Sequence, residues 1–254
     1  MARSTSKSPA KKKAPARKRS AAKTASAKAQ PPVLRRMLRW IVRGLFWGAV
    51  ALVAWVLAYR WIDPPTTPYI WSEGSRLGGV ERAWVDIDAI APVMARSAVA
   101  AEDANFCNHW GFDVEAIREA IEEGSNRGAS TISQQVVKNA FLWQGRSWPR
   151  KALEAGLTPL METLWSKRRI IEIYLNVAEF DEGVFGVQAA AQRYFGVNAS
   201  DLSASQAAAL ASILPNPKDR NAAGLSAALQ RKAARVRDGA ATILADGRAA
   251  CFED

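Results

Sequence analysis

Apolar residues run almost unbroken from Trp40 to Tyr59, interrupted only by the charge of Arg43. A helix of that length covers about 30 Å, the thickness of a bilayer's hydrocarbon core. Trp40 and Trp61 stand at its two ends, where indole rings suit membrane interfaces, and Arg43 is close enough to one end to snorkel. A core helix of a soluble protein would carry a polar stripe. A cleaved leader would be followed by a small-x-small site. Neither feature is present, so the pattern predicts an uncleaved transmembrane anchor over 40–61.

Beyond the anchor, Asp63-Pro64-Pro65-Thr66-Thr67-Pro68 reads as a stiff linker that lifts the rest of the chain off the bilayer. The periodicity then turns helical. Pro92 to about Asp103 forms one segment; Val114, Ile117 and Ile121 recur at helical spacing, with Gly124 placed to stop that helix. Ile170, Ile171, Tyr174 and Leu175 make another apolar face, and Ala207 to Leu214 a further one ended by Pro215. A last helix spans about Ser226 to Ala245 and closes at Gly247. Strand patterns are short and weak, so the class is mainly α, and no internal repeat is visible.

Charge changes the picture at the N-terminus. Of the 35 Lys and Arg residues, fourteen fall at or before Arg43, where there is no Asp or Glu, so the net charge of +11 belongs to a tail and not to the globular body. The tail, 1–39, is built from Ala, Lys, Arg, Ser, Thr and Pro and cannot bury a core, which predicts disorder. Such a tail suits nucleic acid or an anionic membrane. Beside an anchor the expected partner is anionic lipid, at about 1 kcal/mol per charge near the surface, and nucleic acid is not expected. Positive charge stays in the cytosol, so the anchor is single-pass with its N-terminus cytoplasmic and residues 62–254 outside. Cys107 and Cys251 are too few for a disulfide framework; in an oxidising compartment they are either paired or two free thiols.

Candidate chemistry is concentrated in two stretches. Glu102-Asp103 precedes Phe106, His109 and Gly111, and Gly128-Ala129-Ser130-Thr131-Ile132-Ser133-Gln134-Gln135 leads to Lys138 and Asn139. On composition alone the two acids are solvated residues near a helix end. The only histidine is a structural residue that braces the loop through hydrogen bonds. Thr131 and Gln134 have capping-box spacing, and uncapped N–H groups at such a terminus also suit a phosphate. Gln134 and Lys138 share a helix face. Arg150-Lys151-Ala152-Leu153-Glu154 reads as an ordinary helix turn with an i,i+4 ion pair, worth about 0.3–0.5 kcal/mol when exposed.

Taken together, these segments resemble the first three signature motifs of the peptidoglycan glycosyltransferases, which polymerise cell-wall glycan from lipid II. Lys167 to Asn176 is similar to the fourth motif, with Ile171 where leucine is commoner, and Gly183 to Gly196 to the fifth. The resemblance covers Glu102 to Gly196 and, less specifically, extends to Pro217. No room follows for a penicillin-binding transpeptidase domain, so the monofunctional form is expected.

The resemblance implies a lysozyme-like helical glycosyltransferase domain over 62–254, preceded by a single transmembrane helix, in the cell inner membrane with the catalytic domain periplasmic. It implies Glu102 as general base and Glu154 as the second catalytic-site carboxylate, supporting the polar network. Asp103, Ser130, Thr131, Gln134, Gln135, Lys138, Arg150 and Lys151 would bind substrate, with Phe106 and His109 structural. Glu172 and Tyr174 would stand behind the site. Lipid II and the growing undecaprenyl-diphosphate glycan chain are the implied partners, alongside cell-wall synthesis or division proteins. A divalent cation, Mg or Mn, at the pyrophosphate fits the family but has no assigned ligands here; one histidine and two separated cysteines make no zinc site. A wall-cleaving hydrolase or lytic transglycosylase is the alternative, and Lys138 with Arg150 argues against it, since cleavage has no pyrophosphate to bind. Phe141-Leu142-Trp143 and Trp148 either rest in the membrane interface or serve as core aromatics.

Overall fold

The structure, a computed structural model, describes residues 1, 32–122, 124, 130–145 and 147–253. Helix α1 runs Pro32–Ala58 and starts earlier than the apolar pattern suggests. Leu34, Arg35, Arg36, Met37, Leu38 and Arg39 are all good helix formers, and Pro32 occupies the first position, where its missing N–H costs nothing. The expected disorder of 1–39 is therefore corrected over 32–39; the remainder of that tail, after Met1, lies outside the described residues. Within α1, Val33–Ala58 is long and apolar enough to cross a membrane.

Contacts divide the chain into two compact units, Met1–Ala49 and Val50–Asp254, the second beginning inside α1. The reason is packing within that unit. Trp55 and Tyr59 lie 5.3 and 5.5 Å from the Phe141 ring, and Trp165 Nε1 donates to the Val56 carbonyl at 2.8 Å. The proline linker is clamped by two arginines. Arg82 donates to the carbonyls of Pro64 and Pro65, both at 2.6 Å, and Arg169 donates to the Tyr59 carbonyl and pairs with Asp63 at 2.9 Å each. Phe141 and Leu142 are core residues, whereas Trp143 and Trp148 are exposed.

After the linker come α2 (Pro68–Leu77), β1 (Glu81–Arg82), α3 (Pro92–Glu102), α4 (Val114–Glu122), α5 (Ile132–Phe141), α6 (Trp148–Leu164) and α7 (Lys167–Val177). Then follow β2 (Glu179–Asp181), β3 (Val184–Phe185), α8 (Val187–Phe195), α9 (Ala204–Ile213), α10 (Ala227–Ala245) and α11 (Ala250–Glu253). Starts are set by hydroxyl caps, since a helix's first N–H groups have no partner of their own. Thr67, Ser147, Ser166 and Ser226 accept from Ile70, Arg150, Arg169 and Leu229 N–H, respectively. Among the described residues the strands form one small sheet in the order β1-β3-β2, with β1 parallel and β2 antiparallel to β3.

Two helix groups make the body: α3, α9 and α10 pack on one another, and α5 packs on α6 and α7. Two sequence expectations change here. In α4 the Val114, Ile117 and Ile121 spacing is helical, but the stripe finds no core, with Val114 63% and Ile121 75% exposed. The last helix is followed by one more turn, α11, whose Phe252 is buried.

Candidate active site

A cleft of about 690 Å³ opens between the two helix groups. Glu102 enters from the end of α3, Gln135 and Lys138 from α5, Arg150 and Glu154 from α6, and Lys232 from α10. Ser130 and Gln134 line its rim.

Glu102 is the last residue of α3, held by Gln135 Nε2 donating to its carboxylate at 3.0 Å. Gln135 is in turn approached by the Tyr174 hydroxyl at 3.4 Å, so Tyr174 stands directly behind the site. Burial pushes the Glu102 carboxyl up; the Gln135 hydrogen bond and the charges of Lys232, Lys138 and Arg220 pull it back. Burial lowers the Lys138 ammonium, which Glu154 and Glu102 partly restore. Glu172 is spent elsewhere, accepting from Ile87 N–H at 3.0 Å and pairing with Arg169 at 2.6 Å.

Across the cleft Glu154 is buried and saturated. It pairs with Arg150 Nη1 at 2.7 Å and with the Lys151 ammonium. Arg150 also donates from Nε to the Gly145 carbonyl at 2.8 Å. This ion pair is buried, unlike the exposed turn that spacing alone suggests. With Arg150 on one carboxylate oxygen and Lys151 on the other, Glu154 fixes the two cations.

Two residues expected to meet substrate turn inward instead. Asp103, the C-cap of α3, is buried and places one oxygen 2.8 Å from His109 Nε2 while the other accepts Ile132 N–H at 2.9 Å. His109 Nδ1 accepts Gly111 N–H at 3.1 Å. Thr131 spends its hydroxyl on capping α5 and on donating to the Gly111 carbonyl at 2.7 Å, while its own N–H goes to Gln134 Oε1. The capping box is thus present, and the loop after Glu102 is tied to the start of the helix that carries Lys138. Phe106 lies fully buried beneath this loop.

Gly111 is required at that junction. Its φ is +89°, and a Cβ there would fall 2.4 Å from Thr158 Cγ2. Gly111→Ala is expected to lower the thermal midpoint, since a left-handed non-glycine residue alone costs about 1–3 kcal/mol. Calorimetry of the detergent-solubilised protein checks this; an unchanged midpoint would refute the close fit.

Sequence spacing missed Lys232 in the cleft wall. It also missed the buried support in which Ser133 donates to Glu162 while Lys167 Nζ bridges Glu162 and the His109 carbonyl, each at 2.8 Å. Only the packing of α10 on α3 singles out Lys232 from neighbouring basic residues.

One carboxylate without a cation partner thus shares the cleft with several cations, an arrangement suited to group transfer. The Transglycosylase family profile matches residues 73–241, and the chain belongs to that family. It is 60% identical over 216 residues to a biosynthetic peptidoglycan transglycosylase of Jannaschia sp. (strain CCS1), covering 85% of this chain and 90% of the relative. Proteins of the same name from Pseudomonas syringae pv. syringae (strain B728a) and Rhodospirillum centenum (strain ATCC 51521 / SW) are 49% and 46% identical over 216 and 231 residues. Those matches cover 81% and 88% of this chain and 91% and 97% of the relatives.

Proposed function

We propose that the chain joins the C1 of a growing glycan, held as its undecaprenyl diphosphate, to the 4-hydroxyl of an incoming lipid II. The enzyme is a peptidoglycan glycosyltransferase, and its product is a β-1,4-linked strand. An α-linked donor giving a β product is inverted once, so a single displacement suffices. Glu102 takes the proton of the acceptor hydroxyl. Lys138, Arg150 and Lys151, with Ser130 and Gln134 at the rim, receive the charge that grows on the departing pyrophosphate, and Lys232 lies on the acid's own side.

The observation that carries this reading is the saturated Glu154. Hydrolysis by paired carboxylates needs a second carboxyl free to act as acid or base, and here both of its oxygens hold cations. Among the described residues no group of three His, Cys, Asp or Glu side chains fits a metal ion. A Mg or Mn ion is therefore proposed only as a companion of the substrate's pyrophosphate, with no step assigned to it. In this reading the enzyme is held in the inner membrane by its one apolar N-terminal helix, with its tail on the anionic cytoplasmic surface and its cleft on the periplasmic side, within reach of cell-wall synthesis or division proteins.

The test is polymerisation of labelled lipid II by the detergent-solubilised protein. Muramidase-sensitive glycan supports the reading; no polymer, with cleavage of preformed wall instead, overturns it. The pH profile gives a second check. Because Lys232 lowers the Glu102 pKa, Lys232→Met is expected to move the acid limb of kcat/KM to higher pH. An unmoved or lowered limb would remove Glu102 from the proton-accepting role.

A further inference from the structure

We propose that the segment Arg248–Glu253 is a covalent strap that positions the loop after Glu102, and that the Cys107–Cys251 disulfide makes glycan synthesis depend on its oxidation state. The proposal rests on the transferase reading above.

The strap meets the loop at three places. Arg248 Nη1 donates to the Ala104 carbonyl at 3.0 Å, the Phe252 ring lies 6.2 Å from that of Phe106, and Cys251 is bonded to Cys107. It is also fastened to both helix groups. Arg96 of α3 pairs with Glu253 at 3.2 Å, and Arg168 of α7 donates to the carbonyls of Phe252 and Glu253 at 3.3 and 3.1 Å. Phe106 is thus held from one side by Phe252 and from another by the Lys167 ammonium, 4.4 Å from its ring centroid.

What the strap holds is the stretch of loop that directly follows Glu102 of the cleft. Phe106 N–H donates to the Asp103 carbonyl at 3.0 Å, and Asp103 fastens both His109 and the first N–H of α5. Glu102 is next to Asp103 and shares its hydrogen bond with Gln135 of that same helix. A shift at Phe106 therefore passes to the carboxylate and to the helix bearing Lys138.

α11 has only four residues, far below the length at which a helix is stable alone. The covalent bond keeps it seated. Cys251 is exposed while Cys107 is partly covered. A dithiol reductant would therefore attack the Cys251 sulfur, expelling Cys107 as its thiolate and forming a mixed disulfide. The reductant's second thiol then releases Cys251. Two electrons pass to the pair, two protein thiols form, and the reductant closes to its own disulfide.

The experiment compares kcat and KM for lipid II, and the thermal midpoint, in oxidised wild type, wild type reduced with dithiothreitol, and the Cys107→Ser/Cys251→Ser variant. Assays are run well below every midpoint. Loss of positioning is expected to lower kcat by about 10-fold or more, in line with the cost of slight misplacement of a catalytic group, with little change in KM. The double variant should match the reduced enzyme and ignore dithiothreitol, and reoxidation of the wild type should restore kcat. Phe252→Ala should lower kcat in the oxidised enzyme while Phe252→Leu preserves it. A lower midpoint with unchanged kcat in the reduced and variant proteins would leave the strap structural only and overturn the proposal. Absence of polymer from oxidised wild type would instead fail the transferase reading, and the strap's catalytic role with it.

Discussion

Glu102→Gln is expected to abolish measurable glycan synthesis, since general-base assistance contributes about 10²–10⁴ in rate. Its effect on stability should have the opposite sign. Burial raises the Glu102 pKa, so the native state holds that proton more tightly than the unfolded chain. Stability from this group is present at low pH and lost as pH rises from the ordinary glutamate range through the raised value. Glutamine cannot lose a proton and still accepts from Gln135, so the variant should melt at or above the wild-type temperature at neutral pH. Lipid II turnover and calorimetry on one preparation read both effects. Retained polymerisation, or a dead variant that also fails to fold, would contradict this account.

Lys138→Met is the second large effect. Losing one preorganised charge at a leaving group costs about 10²–10³ in kcat. The lysine is half-buried, and its pKa is lowered chiefly by loss of solvent. Between the lowered value and the ordinary lysine range the unfolded chain binds more protons, so wild-type stability rises with pH there. Methionine fills similar space without a charge to desolvate, so the variant should melt higher at neutral pH and lose that slope. Because Lys138 also lowers the Glu102 pKa, any residual activity should show an acid limb moved upward. A variant with normal kcat would take Lys138 out of the leaving-group role.

Much of this site could be read from residue spacing, because the information is local. Thr131 and Gln134 are three apart and make the capping box; Arg150 and Glu154 are four apart and make the ion pair. The helix expected over about Ser226 to Ala245 forms as Ala227–Ala245. Spacing does not say which way a side chain turns, and this misplaced Asp103 and Thr131 among the substrate contacts. Both acids of the Glu102-Asp103 pair are polar, yet Asp103 is buried against His109 and Ile132 while Glu102 lines the cleft. Nor does periodicity say whether a core exists on the far side, as the exposed stripe of α4 shows. Lys232 and the cysteine pair depend on segments far apart in the chain meeting in space, which no local pattern encodes.

The disulfide spans 144 positions, and this separation sets an order of events during synthesis of the protein. A chain made from its N-terminus contains Glu102, Lys138 and Arg150 long before Cys251 exists. Every cleft residue can be in place while the loop beside Glu102 still lacks its fastening. Full activity would then arrive only once Cys251 has been made and joined to Cys107. Chains interrupted upstream of Cys251 would carry all the motifs and still bind substrate, yet turn it over more slowly.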